Sequence, residues 1–311
     1  MADDYRDEIR QGIKATRAHI DSTRAQFEEA NAKIAKKAGR NLFFALGMGI
    51  LLAAAFLLTL FLSKPIFAIF VALFLLVSSI ELSTAYKNSG RRVPVIGVTV
   101  SSILILAGAY FFGAMGSLAG LVFGLLLLTV WRLVEGLVPR WEVSAKTLTR
   151  DVFSGLFTLV YIAFLGSLPI LLVTAERGQF WVFSLVTIVV SVDTGAYAAG
   201  VTLGKHKMTP RISPNKTWEG FAGAAVIGIT VSILLTVFVL HQSWWVGLLM
   251  GAAVLITATL GDLTESLIKR NLGIKDMSSW IPGHGGFLDR LDSILPSTVP
   301  VYATAFFIGV L

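Results

Sequence analysis

Between Gly261 and Ser293 an otherwise apolar chain sets carboxylates, cations, hydroxyls and glycines in close order. Asp262, Glu265, Ser266 and Lys269 recur at three- and four-residue spacings, which puts them on one face of a helix. Arg270 follows, then Lys275 and Asp276, then a break at Pro282-Gly-His284-Gly285-Gly286. A new helix is expected from about Phe287, carrying Asp289, Asp292 and Ser293 on one face, with Arg290 among them. Carboxylates ringed by cations suit a divalent metal held against a polyphosphate, since Mg2+ takes one or two carboxylates and fills its shell with water and phosphate oxygens. Glycines let backbone N–H groups approach a phosphate without obstruction. His284 is either a proton carrier or a hydrogen bond that shapes the turn. The bland alternative for the stretch is a solvated loop of mixed charge.

Two other places are too polar for their surroundings. Asp193 lies well inside an apolar run, where a carboxylate costs at least about 2.5–3.5 kcal/mol unless paired or hydrated. Either the helix ends early and Asp193 is a solvated terminus, or the carboxylate faces a polar cavity. The small residues Gly195, Ala196, Ala198, Ala199 and Gly200 would let another backbone pack closely there. The second place is Gly204–Gly220, where Lys205, Lys207, Arg211 and Lys216 share a short loop with Ser213, Asn215, Thr217 and two prolines. Topology alone needs cations but not Ser-Pro-Asn-Lys-Thr-Trp. Such point charges and hydroxyls suit a phosphate-rich ligand.

These residues must be positioned by membrane helices. Of 311 residues 55% are hydrophobic and only 14% charged, against about 25% in soluble domains. There is no cysteine, which excludes disulfides, thiolate catalysis and cysteine-held metals. The four histidines are too scattered for a histidine metal site. Apolar runs of membrane-crossing length recur at 41–63, 65–86, 94–112, 117–137, 152–174, 180–203, 220–240, 244–262 and 294–311. The fold class is therefore all-α and polytopic, with about nine transmembrane helices in one membrane domain, 41–311. Trp131, Trp141, Trp181, Trp244 and Trp245 fall near helix ends, as at membrane interfaces.

The loops alternate in charge. Lys36, Lys37 and Arg40 precede the first run, and every second loop thereafter is basic, including the Arg132–Arg150 and Lys205–Lys216 clusters. The loops between them hold little beyond Lys64 and Arg177. The positive-inside rule then puts the N-terminus in the cytoplasm and the C-terminus outside. Residues 1–40 lack the apolar core of a signal peptide. They read as a cytoplasmic amphipathic extension, with Ile13, Ile20, Phe27 and Ile34 as a thin heptad seam. It lies on the protein's own loops or on the membrane, or it meets a second subunit.

Ser266-Leu-Ile-Lys269-Arg270, Lys275-Asp276 and Pro282-Gly-His-Gly-Gly286-Phe-Leu-Asp289-Arg290-Leu-Asp292 resemble the signature of the phosphatidate cytidylyltransferases, the CDP-diacylglycerol synthases. Ser213–Gly220 and the Asp193 segment are similar to further family features, so the resemblance covers residues 190–293 strongly and excludes the extension. It implies the reaction of CTP with phosphatidic acid to give CDP-diacylglycerol and pyrophosphate, with Mg2+ and a second, monovalent cation such as K+. Carried over by position, it implies Asp262, Asp289 and Asp292 as metal carboxylates. Lys269 and Arg290, with Lys216, would serve the phosphates. Asp193, Ser213, Asn215, Thr217, Ser266, Arg270, Lys275, Asp276, His284, Gly285 and Gly286 would line the substrate site. The expected setting is a bacterial inner membrane with the site on the cytoplasmic side, membrane lipids around it, no nucleic acid, and a homodimer as the assembly.

Two rivals remain at this level. Another CTP-dependent lipid transferase or a polyprenol kinase would share the chemistry, though not the long Lys-Arg to His-Gly-Gly pattern. An ion-coupled transporter would use Asp193 and Asp262 as coupling sites. Transporters often repeat broken helices in two halves, whereas here the unusual polarity is confined to the C-terminal part.

Overall fold

The computed structural model describes residues 42–137, 144–278, 280 and 285–311, with side chains from residue 47 onward. The N-terminal extension with its heptad seam, Arg140, Trp141 and His284 lie outside the described residues. Residues 54–280 and 285–311 form one compact unit. Residues 1–53 and 281–284 group separately, and of these only 42–53, the opening of the first helix, is described.

The helices are α1 (Leu42–Leu62), α2 (Lys64–Asn88), α3 (Val95–Gly136), α4 (Ala145–Thr158), α5 (Leu165–Thr174), α6 (Gly178–Leu203), α7 (Trp218–Phe238), α8 (Trp244–Leu272) and α9 (Ile294–Phe307). A π-helical turn, Leu159–Phe164, joins α4 to α5 without a break. Among the described residues six helices are long and apolar enough to cross a membrane: α2, α3, the α4–α5 rod, α6, α7 and α8. Gly47–Leu62 and Ile294–Phe307 are apolar but shorter. The chain is an all-α polytopic membrane protein.

The six spans and the nine predicted runs differ at the two end helices, whose described apolar parts are short, and at α3, which contains two of the runs. Gly113 has φ +66°, a left-handed conformation that glycine adopts freely, and here the helix doubles back on itself. A Cβ on Gly120 would lie 2.8 Å from the Ile105 backbone, one on Gly124 2.8 Å from Ser101, and one on Gly97 2.8 Å from Leu128. The partners descend in number as the glycines rise, so the halves run antiparallel with backbones in near contact. Small residues permit such an approach where lipid supplies no hydrophobic drive between helices.

α6 and α7 pack by the same logic, as the small residues after Asp193 predict. A Cβ on Gly195 would meet the Gly223 carbonyl at 2.9 Å, and one on Gly220 the Ala196 carbonyl at 2.9 Å. Two apolar clusters fill the interior. One joins Leu82, Ile105, Leu159 and Ile162; the other joins Leu185, Ile188, Met250 and Val254.

The basic loop after α6 closes as a hairpin: β1 (Lys207–Thr209) and β2 (Ser213–Thr217) pair antiparallel, Lys207 with Thr217 and Thr209 with Ser213. Each strand is too short to show a period. Three expectations need correction. No helix begins at Phe287: Leu288–Arg290 is one 3-10 turn, and α9 starts at Ile294. Aspartates that bond nearby backbone N–H groups compete with helix formation, and Asp289 and Asp292 both do so. Arg132 is not a loop charge but is buried within α3, 2.8 Å from buried Asp151 and 3.1 Å from Glu135. Trp181 is likewise a buried core residue, whereas Trp244 and Trp245 are exposed.

Candidate active site

α8 carries its polar face where the sequence places it. Asp262 receives the Ser266 hydroxyl at 3.4 Å, and Lys269 donates to Glu265 one turn back at 2.8 Å. Gly261, beside them, lies against the Asp292 carbonyl so closely that no side chain fits between. That contact locks α8 to the turn before α9, and the Tyr161 hydroxyl in the π turn donates across the junction to the Gly261 and Asp292 carbonyls at 3.4 and 3.3 Å.

Two clusters result. In the first, Lys216 from β2 reaches Asp262 at 2.6 Å. Asp193 faces Asp292 and Asp262 as like charges and Lys216 as the opposite one, with Ser293 within hydrogen-bonding reach. Asp193 is exposed although it sits ten residues before the end of α6, roughly 15 Å along the axis. The helix thus runs on well past Asp193, so the carboxylate is not a solvated terminus.

In the second cluster Lys269 donates to Glu265 and, at 2.9 Å, to Asp289. The other Asp289 oxygen accepts from the backbone N–H groups of Met277, 3.1 Å, and Gly286, 2.7 Å. Burial would push the Asp289 carboxyl up. The neighbouring Glu265 carboxyl, the Gly286 N–H and the Lys269 ammonium outweigh it and hold Asp289 below the usual range. Asp292 goes the other way: burial and the Asp262 carboxylate push it up.

The remaining predicted residues divide. Thr217 is buried, and its hydroxyl accepts the Gly220 N–H at 3.1 Å, so it caps α7. Ser213 and Asn215 lie on β2 with Lys216, and Asn215 is exposed. Arg270, Lys275, Asp276 and Arg290 are exposed around the rim. Gly285 has φ +81°, and a Cβ there would lie 2.8 Å from Asp289 and 3.6 Å from Asp276. The glycines thus make room for carboxylate. The Gly286 N–H, expected to be open to phosphate, already serves Asp289.

Sequence reasoning missed Glu81. This residue of α2 is 2% exposed and accepts the N–H groups of Phe287 at 3.0 Å and Leu288 at 2.9 Å, together with the Ser278 hydroxyl. The signal was present: within α2 Glu81 is the one acidic residue.

Among the described residues no group of three or more His, Asp or Glu side chains converges as a ready metal cage. The donors nevertheless fit a divalent cation completed by substrate. Asp193 feels the charges of Asp262 and Asp292, Lys216 pairs with Asp262, and a buried Glu265 oxygen one turn further along α8 has no hydrogen-bond partner. Such a set lacks positive charge and phosphate oxygens, which a metal–polyphosphate complex brings together.

Residues 45–308 match the family model of the cytidylyltransferase family, and the chain belongs to that family. It is 38% identical over 271 residues to the phosphatidate cytidylyltransferase of Mycobacterium bovis, covering 86% of this chain and 89% of the relative. The phosphatidate cytidylyltransferase of Mycobacterium leprae is 36% identical over 277 residues, 86% and 89% of the two chains. That of Staphylococcus epidermidis is 40% identical over 158 residues, 49% of this chain and 61% of the relative.

Proposed function

We propose that this protein transfers the cytidylyl group of CTP to phosphatidic acid, giving CDP-diacylglycerol and pyrophosphate. What supports the reading most is the joining of Lys216, Asp262, Lys269, Asp289 and Asp292 in one site, in a chain whose relatives bear that name. A lipid phosphate oxygen attacks the α-phosphorus of CTP as the bond to the β-phosphate oxygen breaks. One bond forms, one breaks, and pyrophosphate leaves. No protein nucleophile is required, so the protein's work is positioning and charge neutralisation. Lys216 and Lys269, with Arg290 and Arg270 at the rim, take phosphate charge.

Asp262 and Asp292, with Asp193 nearby, would hold Mg2+, which supplies charge neutralisation at the phosphates when bound. A monovalent cation such as K+ is the second ion. Both Asp289 oxygens are already engaged by a lysine and two backbone N–H groups. Its part is therefore to set Lys269 and to tie Met277 to the turn 286–290 rather than to carry the metal.

The spans fit nine crossings if the two halves of α3 count separately and α1 and α9 each cross, with the N-terminus in the cytoplasm and the C-terminus outside. The setting is a bacterial inner membrane with the site at the cytoplasmic face. CTP enters from water and phosphatidic acid sideways from the inner leaflet. The assembly is a homodimer, and deletion of residues 1–35 followed by crosslinking tests whether the extension contributes. The deciding experiment incubates purified protein with labelled CTP, Mg2+ and phosphatidic acid vesicles. CDP-diacylglycerol and pyrophosphate should form in equal amounts. No product in any lipid mixture would revive the transporter.

A further inference from the structure

Glu81 lies outside the stretch that carries the chemistry, yet it holds that stretch in place. It sits seven residues before the end of α2, roughly 10 Å along the axis, and is 2% exposed. An ionisable group at such depth persists when it has specific partners. Here the partners belong to one loop: the N–H groups of Phe287 and Leu288 and the hydroxyl of Ser278. The two N–H groups open the 3-10 turn whose next residues are Asp289 and Arg290. Packing backs the polar contact, because Phe74, two turns earlier on α2, sets its ring edge-on to Phe287 at 4.6 Å. Gly286 fits the same contact, since a Cβ there would lie 2.7 and 2.9 Å from the two Glu81 oxygens.

We propose that Glu81 is a positioning residue for the cytidylyl transfer, clamping the turn 286–290 so that Asp289 holds Lys269 toward the nucleotide phosphates. The carboxylate suits the task because its two oxygens face two successive N–H donors at once, and an amide would offer one acceptor and oppose its own N–H to the other. Glu81 touches no reacting atom in this scheme. It acts through the turn, and the proposal rests on the function given above.

Glu81→Gln tests it in the full-length protein, with two readouts. In steady state, KM for CTP should rise about ten- to a hundredfold, as expected for misplaced binding groups, while KM for phosphatidic acid stays within twofold. A purely structural defect would lower the active fraction and leave both KM values alone. Hydrogen exchange of the peptide spanning 285–290, in apo protein, should speed up at least tenfold. That readout needs no turnover, so it judges the clamp even if the wild type makes no CDP-diacylglycerol, an outcome that sinks the functional reading alone. Should Glu81→Gln fail to fold, Gly286→Ala strikes the same contact from the loop side and should show the same pair of changes. An unchanged KM for CTP, or unchanged exchange in 285–290, would overturn the proposal.

Discussion

At the scale of single residues the site separates carboxylates that differ little in sequence. Asp262 pairs with Lys216 and repels the buried Asp292, whereas Asp289 is taken up by Lys269 and two backbone N–H groups. The two kinds should fail differently. Asp262→Asn should raise the Mg2+ concentration for half-maximal activity at least tenfold. Asp289→Asn should lower kcat by about 10²–10³-fold, the scale of losing one aimed electrostatic group, while the protein stays folded and extractable. Titrating both variants with Mg2+ checks the split, and a normal metal dependence in Asp262→Asn would return the metal role to Asp289. Sequence spacing correctly put Asp262, Glu265, Ser266 and Lys269 on one face, because an uninterrupted helix makes spacing equivalent to direction. It did not foresee Thr217 as a cap or Asp289 as a clamp, because those roles depend on which donor folds back onto the side chain.

At the scale of elements, helix positions read well from the sequence and their ends read poorly. Apolar length locates a span, but the doubling of α3 hangs on one glycine with a positive φ, and the strands of the basic hairpin are only three and five residues long. Charge counting also misassigned one cation, Arg132. Lys64 does lie at the connection between α1 and α2, where it donates to the Thr174 and Ala175 carbonyls at 2.9 and 2.8 Å, closing the C-terminal end of α5. Arg132 pairs with Asp151 where both are almost fully buried. Removing one partner strands the other, at about 3–5 kcal/mol. Arg132→Met should therefore lower the unfolding temperature of the solubilised protein markedly, and Arg132→Met with Asp151→Leu should recover much of it. Thermal melts in detergent would read both.

At the scale of the whole molecule the polar machinery draws on α2, α6, α8, the β1–β2 hairpin and the turn before α9, in a chain that is otherwise apolar. Residues separated by about 200 positions meet at Glu81 and Phe287, which no local pattern announces. The nine-crossing reading sets the two termini on opposite faces. Cysteines introduced one at a time at residues 2 and 311 of this cysteine-free chain should then label from opposite sides of sealed inverted vesicles with an impermeant maleimide. Labelling of both from the same side would require an even number of crossings.

The π turn at Leu159–Phe164 carries a consequence for how this protein can vary. Such a turn holds one residue more than a regular α-helix needs over the same rise, so it behaves as an insertion absorbed without breaking the rod. Each residue of an α-helix advances the side chains by about 100°. Removing one residue from the turn would restore regular winding but swing α4 against α5 by that angle. Tyr161 would then leave the Gly261 and Asp292 carbonyls, and the buried Asp151 would turn away from Arg132. Side-chain replacements in the rod are local events, whereas a change in its residue count is felt at both ends.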